Sequence, residues 1–301
     1  MTAVSAATAQ VAFDDYPQTK ALKSGALASP RLALSFSDIK PANRFFKPMV
    51  REQKFDISEM AVGTFLLAKA YRKPLVLIPA TIMGRFQQSA IICRAHDPLT
   101  PETLAGKRIG VRSYSQTTAI WVRGFLANDY GVDLASLRWV VFEDGHVAEY
   151  RDPPPPMIER ADPAAGTMLD MLRSGEIDAA IYGADLPDDP TFRSLIPVPE
   201  TAAKAWYAKH QVVPINPMVV TTQAFVQSNP DAVREVFRLL AESKKAAGLP
   251  QSGAIDFLPF GVAACRPALA TMIRYEVQQG LLSRPFEVDE LFDDTTRALG
   301  D

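Results

Sequence analysis

Apolar positions along the chain fall into short runs that alternate between two spacings. Gln10 to Phe13, Arg31 to Ser35, Leu75 to Ile78 and Ser89 to Cys93 read as strands, with helical spacing at Lys47 to Gln53 and Ala61 to Tyr71 between them. A second series starts at Lys107 to Val111. It passes through a helix over Gln116 to Tyr130 and returns to strands at Trp139 to Phe142 and Ile177 to Tyr182. The last third is mainly helical. Ala202 to Lys209 is followed by Asp231 to Ala247, behind the cap-like pair Asn229 and Pro230, and by Arg266 to Gln279, which stops at Gly280.

This alternation implies an α/β fold in which each strand is followed by a loop able to face a ligand. No internal repeat is visible. Two similar α/β units followed by a helical tail fit a two-lobed clamshell, the tail packing on the first lobe. Strand-like segments beside turn residues, Cys93 to Asp97 and Val213 to Val219, are the expected crossings. Lobe 1 is then residues 10–94 and 218–301, and lobe 2 residues 95–217. Gly145 to Pro163 carries four consecutive prolines, Pro153 to Pro156, among charged residues, which predicts an extended, solvated linker in preference to a lid.

Composition narrows the partner. With 301 residues, 48% hydrophobic, the chain can build a substantial core. A net charge of −2 without a basic block argues against nucleic acid, leaving a small molecule or another protein. Cys93 and Cys265 lie far apart inside apolar runs, as buried hydrophobes do, and not as a disulfide framework. Met1 to Val11 lacks the basic and apolar regions of an export signal, and no run approaches about twenty apolar residues. With Met1 as the natural start, the expectation is a cytoplasmic protein with no membrane partner. Its oligomeric state is open.

The most informative local feature is Arg108 to Thr118, a strand that runs through a polar turn into a helix. A helix start offers unpaired N–H groups and the positive end of the dipole, so a carboxylate could dock on Gln116, Thr117 and Thr118 with help from the Ser115 hydroxyl. Arg123, two turns on, either extends that site or pairs with an acid on the surface. Arg85, beside the first crossing, is the stronger cation; Arg44 and Arg112 are weaker. Ser58 and Glu59 stand at a strand end just before a helix, where they either cap it or meet a ligand, Glu59 then handling a proton. The three histidines, His96, His146 and His210, read as surface or capping residues. No metal spacing, glycine-rich phosphate loop, nucleophile elbow or Cys-x-x-Cys pair occurs, so no cofactor is expected.

Several segments carry a resemblance in the same order: Asp15-Tyr16, Phe55-Asp56-Ile57-Ser58-Glu59-Met60, Gly106 to Leu126, Gly175-Glu176-Ile177-Asp178-Ala179 and Leu258-Pro259-Phe260-Gly261. Over nearly its full length the chain resembles the 4,5-dihydroxyphthalate decarboxylase family. That resemblance implies a type 2 periplasmic-binding-protein-like clamshell with mixed sheets, and cofactor-free decarboxylation of a hydroxylated aromatic acid. On that reading Glu59 is the expected catalytic residue, with Ser58, Arg85, Ser115, Gln116, Thr117, Arg123 and Asn216 expected to bind substrate. Where the family commonly has histidine, arginine and histidine, this chain has Gln88, Asp185 and Pro217. Those departures keep a second reading open, a non-catalytic binding or sensing protein for a small organic anion. A third is a related small-acid lyase, such as the chorismate-dehydrating enzymes.

Overall fold

The computed structural model describes residues 7–154, 157–183 and 187–300. Its strands are β1 (Ala7–Ala12), β2 (Leu32–Phe36), β3 (Ile57–Ala61), β4 (Leu75–Thr81), β5 (Ile91–Arg94), β6 (Arg108–Val111), β7 (Arg138–Val141), β8 (Ile158–Arg160), β9 (Ala179–Ile181), β10 (Phe192–Ser194) and β11 (Pro217–Thr222). The helices are α1 (Pro17–Lys23), α2 (Asn43–Glu52), α3 (Val62–Ala70), α4 (Thr117–Asp129), α5 (Met168–Ser174), α6 (Pro199–His210), α7 (Gln223–Ser228), α8 (Pro230–Ala246), α9 (Val262–Gln278) and α10 (Asp294–Arg297).

The strands form two mixed sheets, ordered β2-β1-β3-β11-β4 and β10-β5-β9-β6-β7-β8. In the first, β1 pairs in parallel with β2 and β3, while β11 runs antiparallel between β3 and β4. The second is parallel over β9, β6, β7 and β8, with β5 and β10 antiparallel at the other end. The expected two-lobed α/β architecture is therefore present, one lobe on each sheet.

The crossing lies earlier than the sequence suggested. Ile91–Arg94, read as the end of lobe 1, is hydrogen-bonded to β9 and β10 of the second sheet, so the chain passes over within 82–90. It returns within 211–216, and the two passages are joined by a bridge between Gly84 and Ile215. An apolar run of four residues fits either sheet, and only its partners decide.

Apolar layers cover both faces of each sheet. On the first, Ile57, Val11 and Val219 face α1 and α8, whereas Met60 and Leu77 face the helices between the lobes. Helix α4 is apolar on all sides from Ala119 to Val122 and again at Phe125 and Leu126, and it is buried accordingly. The helical tail does not rest on the first lobe alone. Helix α9 packs against α4 of the second lobe as well as α3, so closely that a Cβ on Gly124 would lie 2.0 Å from the Tyr275 ring. A side chain larger than hydrogen has no room there.

The proline-rich excursion also departs from expectation. Ile158–Arg160 forms β8 alongside β7, and residues 145–150 dock on the first lobe. Its solvated character is confined to part of its length.

Candidate functional site

Two helices begin at one place between the sheets. Strand β3 runs directly into α3, and β6 turns through Arg112–Gln116 into α4. The Gly63 N–H donates to the Thr117 hydroxyl at 3.0 Å, and the Val62 N–H donates to the Asn216 carbonyl at 2.7 Å. The first N–H groups of α3 are thus taken up by the other lobe and the return passage. Gly63 is required by this approach, because a Cβ there would lie 2.6 Å from Ile120 Cδ1 and 3.0 Å from Thr117 Oγ1.

Helix α4 has no side-chain cap among the described residues. Gln116 stands at its N-cap without a capping bond, its first turn holds no acid, and Thr117 and Thr118 are buried. The Gln116 Oε1 atom is buried with no partner among the described residues. A helix start leaves its first N–H groups unsatisfied, and burial removes water as their acceptor. Ser113 and Ser115 place hydroxyls 3.2 Å apart on the same turn. Arg85 reaches the start of α4 as well, Nη2 lying 3.5 Å from Thr118 Oγ1, and Asn216 Nδ2 donates to the same hydroxyl at 3.3 Å. Asn216 Oδ1 in turn accepts from Gln87 Nε2 at 2.7 Å, and Gln88 Oε1 accepts from the Gln87 N–H at 3.1 Å.

That chain of bonds ends at a cavity of about 450 Å³. Phe86 and Gln88 of the first passage line it, with Glu200, Ala203 and Lys204 of α6 and Phe257. The volume lies within the range of small-molecule sites. The Phe86 ring meets Phe257 edge-on at 5.2 Å, an apolar wall beside the polar relay.

Glu59 sits on the opposite face of β3 from Ser58, whose hydroxyl donates to the Glu59 carbonyl at 2.7 Å. The Glu59 side chain is fully buried and turned to the segment after β1: Oε1 accepts the Asp14 N–H at 2.6 Å and Oε2 the Tyr16 hydroxyl at 3.2 Å. Burial pushes its carboxyl up to about 8, against the two hydrogen bonds, so it is largely a neutral acid at pH 7. The receiving segment is itself pinned, Asp14 accepting from the Ala42 N–H at 2.8 Å and Thr19 donating to the Asp14 carbonyl at 2.9 Å.

Residues 145–150 form a strap from the second lobe to the first. Arg51 donates to the His146 and Gly145 carbonyls at 2.9 and 3.2 Å, and Lys73 pairs with Glu149 at 2.6 Å. His146 Nδ1 lies 2.8 Å from the Thr64 hydroxyl, with Phe46 edge-on to its ring. Packing around the imidazole, with Arg112, Lys47 and Arg51 near it, pushes it down to about 3. His146 is therefore a neutral inter-lobe contact, not the surface histidine expected. His96 is exposed, and His210, at the end of α6, pairs with Asp129 at 2.7 Å.

Of the residues singled out from the sequence, Arg85, Ser115, Gln116, Thr117 and Asn216 gather at the start of α4, although the Thr117 hydroxyl is occupied by Gly63. Ser58 and Glu59 share the neighbouring strand, Glu59 facing the Asp14–Tyr16 segment. Arg123 is neither on the surface nor at the cavity: it is 0% exposed, deep under the turn. Asp185 lies outside the described residues. Gln87, Thr64 and His146 gave no sequence signal. Tyr16 did, as part of the Asp15-Tyr16 match.

Comparison with known proteins agrees with this architecture. No family model matches the chain. It is 27% identical over 256 residues to a 4,5-dihydroxyphthalate decarboxylase of Comamonas testosteroni, covering 79% of this chain and 74% of that one. A Pseudomonas putida protein of the same name is 29% identical over 209 residues, 65% of this chain and 80% of that one. Among solved structures, the periplasmic aliphatic sulphonate binding protein SsuA of Escherichia coli superimposes with a TM-score of 0.62 at 10% identity, covering 96% and 93%. The ligand-binding component of an ABC-type import system from Staphylococcus aureus gives 0.59 at 7% identity, covering 97% and 98%. The fold is that of the periplasmic binding proteins.

Proposed function

Starting from a chain related in sequence to the 4,5-dihydroxyphthalate decarboxylases, we propose that it binds a hydroxylated aromatic carboxylate between its lobes and removes carbon dioxide from it. The observation that carries the reading is the buried, uncapped start of α4 with Arg85 beside it. A carboxylate there would accept from the first N–H groups of α4, which no side chain caps among the described residues, charge-assisted bonds contributing about 1.5–3 kcal/mol each. The cavity that Gln88 reaches, walled by Phe86 and Phe257 with Glu200 and Lys204 at its edge, has room for one aromatic ring.

Glu59 is the group we assign to the proton. The Tyr16 hydroxyl, which donates to the Glu59 carboxyl at 3.2 Å, would turn to give its own proton to the ring carbon that bears the departing carboxylate while it takes the proton of the buried neutral Glu59. The electrons of the breaking carbon–carbon bond return to the ring as carbon dioxide leaves, and solvent restores the Glu59 proton.

The test is incubation with 4,5-dihydroxyphthalate and related catechol acids, with carbon dioxide measured and binding followed by calorimetry. Binding and turnover by the native chain, turnover reduced at least 10²-fold in Glu59→Gln with binding retained, is the expected result. Binding without turnover in the native chain would favour the second reading, a solute-binding protein. Gln88 and Pro217 motivate that reading: both serve structure here, Gln88 through Gln87 and Pro217 through its carbonyl, which accepts from the Ile82 and Met83 N–H groups.

A further inference from the structure

The far end of α3 carries positive charge that the inter-lobe site does not use. The helix closes on its own backbone: the Tyr71 N–H donates to the Leu67 carbonyl at 3.1 Å, Arg72 to Lys69 at 2.9 Å and Lys73 to Ala68 at 2.9 Å. Arg72 makes this turn at a φ of 56°, in the left-handed region where glycine is favoured at a helix end. Glycine would take the same turn at lower cost, so the guanidinium is what arginine adds there. It is exposed and forms no hydrogen bond or ion pair among the described residues.

Arg72 lines a hollow of about 210 Å³. Lys69 joins it from α3, while Ser283, Arg284 and Phe286 come from the segment after α9, and among the described residues no acid lines this hollow. Lys69 is half-buried and likewise makes no hydrogen bond or ion pair. Arg284 is fixed in place, its guanidinium carbon 4.6 Å from the Phe286 ring centre and its two Nη atoms donating to Glu290 at 3.1 and 2.8 Å. Glu290, the acid that Lys69 feels, is spent on Arg284 and on the Glu287 N–H, and it lines a larger hollow next door.

A cation in the last turn of a helix complements the dipole, which accounts for Lys69 alone. It does not account for Arg284 and Ser283, which arrive from a distant part of the chain, or for an arginine held in a left-handed turn. Three positive charges share one concave surface of a chain whose net charge is −2. Like charges so placed repel, and an anion among them turns that repulsion into attraction.

We propose that this hollow binds a phosphate group, free or at the end of a small ester, held by Lys69, Arg72 and Arg284 with the Ser283 hydroxyl. Several donors around one compact space suit an anion whose oxygens radiate from a single centre, and guanidinium and ammonium groups are its common partners. The site does not rest on the activity proposed for the inter-lobe cavity, with which it shares no lining residue.

The test is equilibrium dialysis of the full chain against radiolabelled inorganic phosphate at pH 8 and fixed ionic strength, with chloride as the balancing salt. Saturable binding at one site is expected. Arg72→Gly removes a cation and eases the backbone, so its unfolding midpoint without phosphate should equal or exceed that of the native chain while the dissociation constant rises about tenfold or more. Lys69→Met keeps the stem of the side chain and should weaken phosphate by a similar factor. Competition by glycerol 3-phosphate separates the two sources: an ester that displaces phosphate more effectively than unlabelled phosphate does assigns the site to esters, and a weaker one to the free ion. No saturable binding would overturn the proposal, as would a dissociation constant unchanged in both variants, which would place the anion elsewhere. Displacement by succinate as effective as by phosphate would mean that the hollow selects charge alone, and would refute the assignment to phosphate.

Discussion

Glu59→Gln is the most telling perturbation of the first lobe, because its effect on stability must change with pH. In the folded chain the Glu59 carboxyl ionises at about 8, against 4.5 ordinarily, so the fold prefers its neutral form. The full stabilisation is present below pH 4.5 and is lost as pH rises through 8, where the carboxylate finally forms inside. Each unit is worth 1.36 kcal/mol, so about 5 kcal/mol is lost across the window and about 3 kcal/mol of it by pH 7. Glutamine keeps an acceptor for the Asp14 N–H and cannot ionise. Urea unfolding of both proteins from pH 4 to pH 8.5 should therefore show their stability difference shifting in favour of the variant by about 3 kcal/mol between pH 4 and pH 7. Parallel pH profiles would show that Glu59 does not titrate as its burial requires, and the proton assigned to it would have no source.

Three further outcomes follow from the packing between the lobes. Gly63→Ala should cost about 1–3 kcal/mol in urea unfolding and weaken ligand binding, since its methyl would press on Ile120, Thr117 and Glu276. Thr64→Val should remove the partner of His146 and cost about 1 kcal/mol, with faster limited proteolysis after Arg151. Lys73→Ala, which breaks a pair whose acid is half exposed, should cost less than about 1 kcal/mol by the same measure. Cys93 and Cys265 are buried, and burial pushes the Cys265 thiol up to about 12, so a thiol reagent should label both only as the chain unfolds. Rapid labelling of the native chain would contradict that burial.

The parts of this molecule that follow local rules were readable in advance, and the parts set by distant partners were not. Ala61 to Tyr71 and Gln116 to Tyr130 were visible as helices because their spacing and flanks are local properties. The Ile91–Arg94 strand was visible too, but its sheet was not, since pairing with β9 and β10 is decided by residues a hundred positions away. Ser58 and Glu59 were readable as the end of a strand, but which of them would meet the Asp14–Tyr16 segment was not, since that segment lies more than forty positions away. Arg123 is the instructive case. A lone cation within the otherwise apolar stretch Ala119 to Leu126 has no polar face of the helix to occupy, and that is a sequence signal for burial. His146 carried no such signal, because the charged and proline-rich residues around it resemble a solvated linker.

The substitutions at the family's histidine positions bear on mechanism through what now occupies them. Gln88 is 3% exposed and committed to the backbone of Gln87, and Pro217 begins β11 with its carbonyl taken by two N–H groups. Neither can carry a proton. His146 is held neutral by its surroundings down to about pH 3 and is spent on Thr64. On the decarboxylation reading, a proton for a ring carbon has to come from an acid that is protonated at neutral pH and bonded to a group that is not itself fully buried. Glu59, bonded to the part-exposed Tyr16, is such an acid, while Glu276 is fully buried with no hydrogen-bond partner among the described residues. Loss of turnover in Tyr16→Phe with binding unchanged would place the proton on that path. Full turnover in both Tyr16→Phe and Glu59→Gln would show that the proton comes from another donor and would refute its assignment to Glu59.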